Sequence, residues 1–164
     1  DEHKNILKVI KLLNNECDKI NAGKKVDKVF FNKTISFIRN YADKLHHAKE
    51  EDILFKELCK DTTELHCNPT EQMLYEHQLG RTFVSGIEEG LKQNNANLII
   101  ENSIKYCQLL QEHIFKEDNI LYPMANEALS KRTKNDLFKK FIAIDNKKEN
   151  VIKNELNFLK ELKN

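Results

Sequence analysis

The chain has 164 residues, enough for one domain with a sizeable core, and its 27 basic and 26 acidic side chains leave a net charge of only +1. The two signs are mixed along the whole length, so no basic face is offered to nucleic acid, and no apolar run approaches the roughly 20 residues needed to cross a bilayer. Four glycines and two prolines beside abundant Lys, Glu, Leu, Ile and Asn disfavour a sheet with many turns and favour long helices.

The first helix carries His3 at its head and a stripe of Ile6, Ile10, Leu13, Cys17 and Ile20, and Asn21-Ala-Gly23 ends it, the glycine suiting a C-terminal cap. A second helix is predicted from about Asp27 to Leu58, through Ile35, Ile38, Ala42, His46, Glu50 and Ile53. Asp61 to Pro69 is the longest break. Thr70 then caps a third helix bearing Met73, His77, Arg81, Val84 and Leu91. After a turn at Asn94-Asn95, a fourth helix runs from Ala96 to about Ile120, its inner stripe Ser103, Tyr106, Leu110, His113, Glu117 and Ile120. Pro123 is expected to end or kink it, because proline removes a backbone donor. Thr133 restarts the chain into one last helix with Phe138, Phe141, Ile142, Ile152, Leu156, Leu159 and Leu162 on its apolar side.

These elements predict an all-α fold, an up-down-up-down four-helix bundle with an additional C-terminal helix. A single domain is expected over residues 1–164, the bundle in about 1–122 and the extra helical residues in about 123–164. The last helix is suited either to covering the bundle or to meeting a protein partner or a second copy in a homodimer. Cys17 and Cys107 fall on apolar faces, and Cys59 and Cys67 flank the long break, where they could pair. With no C-x-x-C spacing and no segment resembling a signal peptide, a reducing cytoplasm is the expected location.

Two near-copies of one phrase carry the chemistry: His46-His-Ala-Lys-Glu50-Glu-Asp-Ile-Leu-Phe55 and His113-Ile-Phe-Lys-Glu117-Asp-Asn-Ile-Leu-Tyr122. A His and a Glu four apart share a helix face. Counting from the turns puts His3 and His46 each about 20 residues from the first, roughly 30 Å along antiparallel helices. His77 and His113 stand about 17 and 18 residues from the Asn94-Asn95 turn, so the four histidines are expected at one depth. A lone histidine on an apolar stripe is usually a satisfied core residue. Four at one level beside two carboxylates point to a metal, because each carboxylate buried without a cation would cost several kcal/mol.

Over nearly its whole length the chain resembles the hemerythrin-like (HHE cation-binding) family. Glu2-His3, His46-His47-Ala-Lys-Glu50-Glu51, Glu76-His77 with Gly80-Arg81, and His113-Ile-Phe-Lys-Glu117-Asp118 carry the likeness, with Ile-Leu-Phe55 and Ile-Leu-Tyr122-Pro123 as trailing anchors. The resemblance implies two non-haem iron ions in an Fe–O–Fe centre, bridged by an oxo or hydroxo group. It implies His3, His46, His77 and His113 as terminal ligands and Glu50 and Glu117 as bridges. Mixed imidazole and carboxylate donors suit iron. Ferritin-like proteins, the nearest rival, carry Glu-x-x-His, whereas the order here is His-x-x-x-Glu.

Oxygen-carrying members place a second histidine four residues after the one on the third helix, where this sequence has Arg81. Four histidines, two bridging carboxylates and one bridging oxygen would supply about ten of roughly twelve bonds, leaving about two positions open. The implied function is binding of, or reaction with, oxygen, peroxide or nitric oxide. The alternative is an iron or oxygen sensor, or a module supplying iron for repair of damaged iron centres. Arg81 is read as attracting an anionic ligand or pairing with Glu50 or Glu117, or else as a solvent-facing flank residue. Glu76 is read as a partner for a ligand imidazole or as water-facing, and Tyr106 as lining the pocket or as core packing. His47 and Glu51, offset by one position and hence by about 100°, are read as an exposed pair, and His66 as solvated.

Overall fold

The computed structural model describes residues 2–60 and 68–161, and among them there are six helices and no strands. Helix α1 is Glu2–Asn21, and Gly23, at φ +98, lets the Lys24 N–H return to the Lys19 carbonyl. Asp27 caps α2 by accepting from the Phe30 N–H. That helix runs without interruption over 28–58, but Ile38–His47 and Glu50–Leu54 are wound wide, with N–H groups bonded to carbonyls five residues back, as from Ala48 to Asp43. Helix α3, Asn68–Gln93, begins two residues before the cap expected at Thr70. Asn94, at φ +53, and the N-cap Asn95 make the turn into α4.

Helix α4 covers 96–128, with a wide turn at Glu117–Leu121. There the Tyr122 N–H reaches the Glu117 carbonyl, so the chain arrives at Pro123 already out of α register, and the helix continues to Ala128 instead of ending. The same turn moves the inner stripe by one residue. Ile120, expected inside, is half-exposed, and Leu121 is buried in its place. Ser130 caps α5, Lys131–Lys147, and the chain breaks at Lys148 before α6, Glu149–Glu161, so the single last helix of the sequence reading is two. Phe138 and Ile142 face outward, and α5 is held by Phe141, as expected, together with Leu137. His66, Cys67 and Leu162 lie outside the described residues. Cys17 and Cys107 are buried thiols.

Helices α3 and α4 pack along one another, and α1 lies against α4. Helix α6 closes over α1 and α2: Phe158 and Leu159 enter the core, and buried Glu155 accepts from Ser36 and Asn40. The apolar interior is in two parts. The larger holds Ile10, Leu13, Phe37, Leu45, Ile87 and Leu110; the smaller holds Leu54, Leu58, Met73, Leu121 and Leu137. Between them, on α1 to α4, lies a layer of buried histidines and glutamates.

Candidate metal centre

The layer is built from two facing pairs of imidazoles. His3 and His46 bring their Nε2 atoms to 2.9 Å, and His77 and His113 bring theirs to 3.0 Å. Each ring's other nitrogen is held by a carboxylate: His3 by Asp118 at 2.8 Å, His46 by Glu2 at 2.9 Å, His77 by Glu51 at 2.7 Å and His113 by Glu76 at 2.8 Å. An ionised carboxylate only accepts, so each Nδ1 carries a proton, and in the neutral ring, the form that binds a metal, each Nε2 is left as a lone pair. Two lone pairs at this separation repel unless a cation lies between them. About 3 Å is also the spacing of two donors at right angles on one ion with bonds of about 2.1 Å.

Glu50 and Glu117 join the two pairs. Glu117 sets one oxygen 3.2 Å from the His3 Nε2 and the other 3.1 Å from the His113 Nε2. Glu50 Oε2 stands 3.7 Å from the His46 Nε2 and 3.5 Å from the His77 Nε2. Both side chains are buried, and Glu50 Oε2 and both Glu117 oxygens lack a hydrogen-bond donor. Burial, together with the facing Glu117 carboxylate, pushes the Glu50 carboxyl well above its usual range. Burial also acts on Glu117, but without a metal the rings of His113 and His3, protonated on the side that faces it, outweigh burial and hold that carboxyl down. Orphaned buried carboxylate oxygens beside convergent lone pairs fit a metal pair, which would satisfy both at once. His3, His46, Glu50 and Glu117 form one such group and His47, Glu50, His77 and His113 a second, with Glu50 in both.

His47 corrects the sequence reading. It is buried, not exposed, and stacks on His77 with ring centres 3.8 Å apart and 12° between planes. Neither ring nitrogen has a hydrogen-bond partner; Asp43 lies 3.6 Å from Nδ1, too far for a bond. Burial lowers its pKa to about 3, leaving a neutral ring. His47 ends the wide segment of α2, where adjacent side chains lie closer in angle than the 100° of an α-helix, so His46 and His47 both turn inward. The missing imidazole at Arg81 was the sequence signal that could have led to it. Glu51, its supposed partner, is half-buried and serves His77.

Arg81 reaches neither Glu50 nor Glu117. Its guanidinium donates to Asp43 at 2.9 and 2.6 Å and to Glu51 at 2.6 Å, fixing the carboxylate that orients His77. Glu76 is buried and also accepts from Gln72 and Lys116. Tyr106 is fully enclosed, its hydroxyl unpartnered, beside a small void shared with His47, His77 and Arg81. Tyr122, read from sequence only as an apolar anchor, donates to Glu50 at 2.5 Å and stacks on His3 at 5.7 Å. Burial lowers the pKa values of His46 and His77, which favours the neutral, metal-binding form. His3 is partly buried and His113 buried, but Glu117, with Asp118 and Glu76, raises theirs.

Among the described residues no helix is long and apolar enough to cross a membrane. A family model, Hemerythrin HHE cation binding domain, matches residues 1–125. No curated protein and no solved structure matches the chain.

Proposed function

We propose that this chain, which belongs to the hemerythrin HHE cation-binding family, holds two iron ions and binds or reacts with small oxidants such as oxygen, peroxide or nitric oxide. The observation that carries the reading is the pair of carboxylates, Glu50 and Glu117, each in contact with both halves of the histidine layer. His3 and His46 would hold one ion and His47, His77 and His113 the other. Imidazole and carboxylate together suit iron in both of its common oxidation states. Bound iron would supply electrons to a small molecule at an open position.

The residues of the chain decide where that position lies. Adding His47 raises the donor count to about eleven of roughly twelve bonds, so about one position is open in place of the two expected from four histidines. With fewer imidazoles on that side, it would belong to the ion held by His3 and His46, beside which Tyr122 stacks on His3. Asp118, Glu2, Glu51 and Glu76 keep the Nδ1 protons in place and so aim every Nε2 inward.

The test is metal analysis with the ultraviolet-visible spectrum of protein made in iron-replete medium. About two irons per chain with ferric charge-transfer bands are expected, followed by turnover or tight binding of peroxide, oxygen or nitric oxide. Less than half an iron per chain after anaerobic ferrous reconstitution would end the reading. Two irons that leave readily for an acceptor protein, without reaction toward oxidants, would favour the iron-supplying alternative.

A further inference from the structure

Beside the His3/His46 half lies a cavity of about 660 Å³. Its inner wall is His3, His46, Glu50 and Tyr122, and its outer wall is Leu54, Ala125, Leu129, Leu137 and Phe141, with exposed Phe138 at the rim. A diatomic molecule or peroxide needs no more room than about one water, roughly 30 Å³. The space falls instead in the range of pockets for organic ligands, about 300 to 1,000 Å³. Leu129, Leu137, Phe138 and Phe141 all come after residue 125, beyond the segment the family model matches.

The chemistry of the wall selects the occupant. Most of its charged groups are paired with opposite charge: Glu2 with His46 and Lys49, Lys49 also with Asp145, and Asp118 with His3, while Lys134 bonds to the neutral carbonyl and side-chain oxygens of Asn126. Lys4 likewise has a partner. A charge set against the leucines and phenylalanines would lose water without gaining a counter-ion there, whereas those side chains reward an apolar body. We propose that the cavity binds an uncharged, apolar organic molecule, of the size of a medium-chain alcohol or a one- or two-ring aromatic, seated over the side of the centre where the open position lies. The location of that position rests on the di-iron reading; the cavity and its preference do not.

The test is calorimetric titration of the purified full chain with 1-octanol and with octanoate, metal content being measured on the same samples. Saturable binding of 1-octanol is expected, with a Kd of about 0.1 to 1 mM, and octanoate should bind at least about tenfold more weakly. Leu137→Trp, which narrows the cavity at its apolar wall, should weaken 1-octanol severalfold. Phe138→Asp, at an exposed position that leaves the core intact, should weaken it severalfold, with metal per chain unchanged in both. Non-saturating 1-octanol, octanoate binding as tightly as 1-octanol, or unaltered affinity in Phe138→Asp would each overturn the proposal. Iron without octanol binding would refute the cavity alone. Octanol binding in protein that cannot be loaded with iron would refute the di-iron reading and leave the cavity standing.

Discussion

His77 and His113 turn their Nε2 atoms toward each other at 3.0 Å while their Nδ1 atoms are drawn apart, to Glu51 on α2 and to Glu76 on α3. The outward hydrogen bonds create the inward lone pairs. Glu76→Gln keeps the shape but loses the charge that holds the His113 proton, and metal affinity should fall by about 10 to 100-fold. Competition with a chromogenic chelator measures it, and an affinity within twofold of the parent would remove this role from Glu76.

His47 separates the present donor set from the one expected of four histidines. In His47→Ala, metal content should drop from about two ions per chain toward one, because an ion held by His77 and His113 would lose its third imidazole. Elemental analysis after dialysis provides the measurement. Two retained ions with an unchanged spectrum would make His47 a packing residue stacked on His77.

Tyr122→Phe removes one hydroxyl and little else. Glu50 Oε1 then loses its donor in a buried site, which should cost the metal-free protein about 1 to 3 kcal/mol of stability. In the loaded protein the same carboxylate, no longer polarised by the hydroxyl, becomes a stronger donor, so the reduction potential should fall. Denaturant unfolding and spectroelectrochemistry read the two effects, and a potential that stays or rises would contradict the second.

The buried rings also set a pH dependence for the metal-free protein. The pKa of His47 is about 3 in the fold against 6.5 as its ordinary value, so the unfolded chain takes up its proton first as acid is added. Its contribution is therefore complete above about pH 6.5 and is lost as the pH falls toward 3. His46 and His77 shift in the same direction, while His3 and His113, shifted upward, contribute below 6.5 and lose that contribution as the pH rises through their folded values. Thermal unfolding of chelator-treated protein should show a lower Tm at pH 5 than at pH 6.5, with a smaller drop in His47→Leu. An equal drop in the variant would take His47 out of the account.

Much of the fold was legible because apolar spacing and caps are local. The stripe of Ile6, Ile10, Leu13, Cys17 and Ile20 is buried as read, and Gly23 and Asn94-Asn95 end helices where expected. Counting along helices brought His3 to His46 and His77 to His113, because one extra residue in a turn changes height by only about 1.5 Å. The same residue changes orientation by up to about 100°, so angles failed just where the turns are wide. His47 and Ile120 were both misassigned for that reason, one placed outside and the other inside. The break at Lys148 had no glycine or proline to announce it. Tyr122 stayed hidden because its partner, Glu50, is far away in sequence.

The wide turns also bear on time. Wide turns are rare and gather at functional sites, and rewinding Ile38–His47, Glu50–Leu54 or Glu117–Leu121 to ordinary α-helix would turn their side chains away from the layer. His46, His47, Glu50 and Glu117 all sit on them, which would make loss of an ion and local rewinding one event rather than two. With a strong chelator in growing excess, the release rate should then level off at a ceiling set by the backbone, the clock of the centre residing in the helix and not in the ligand bonds.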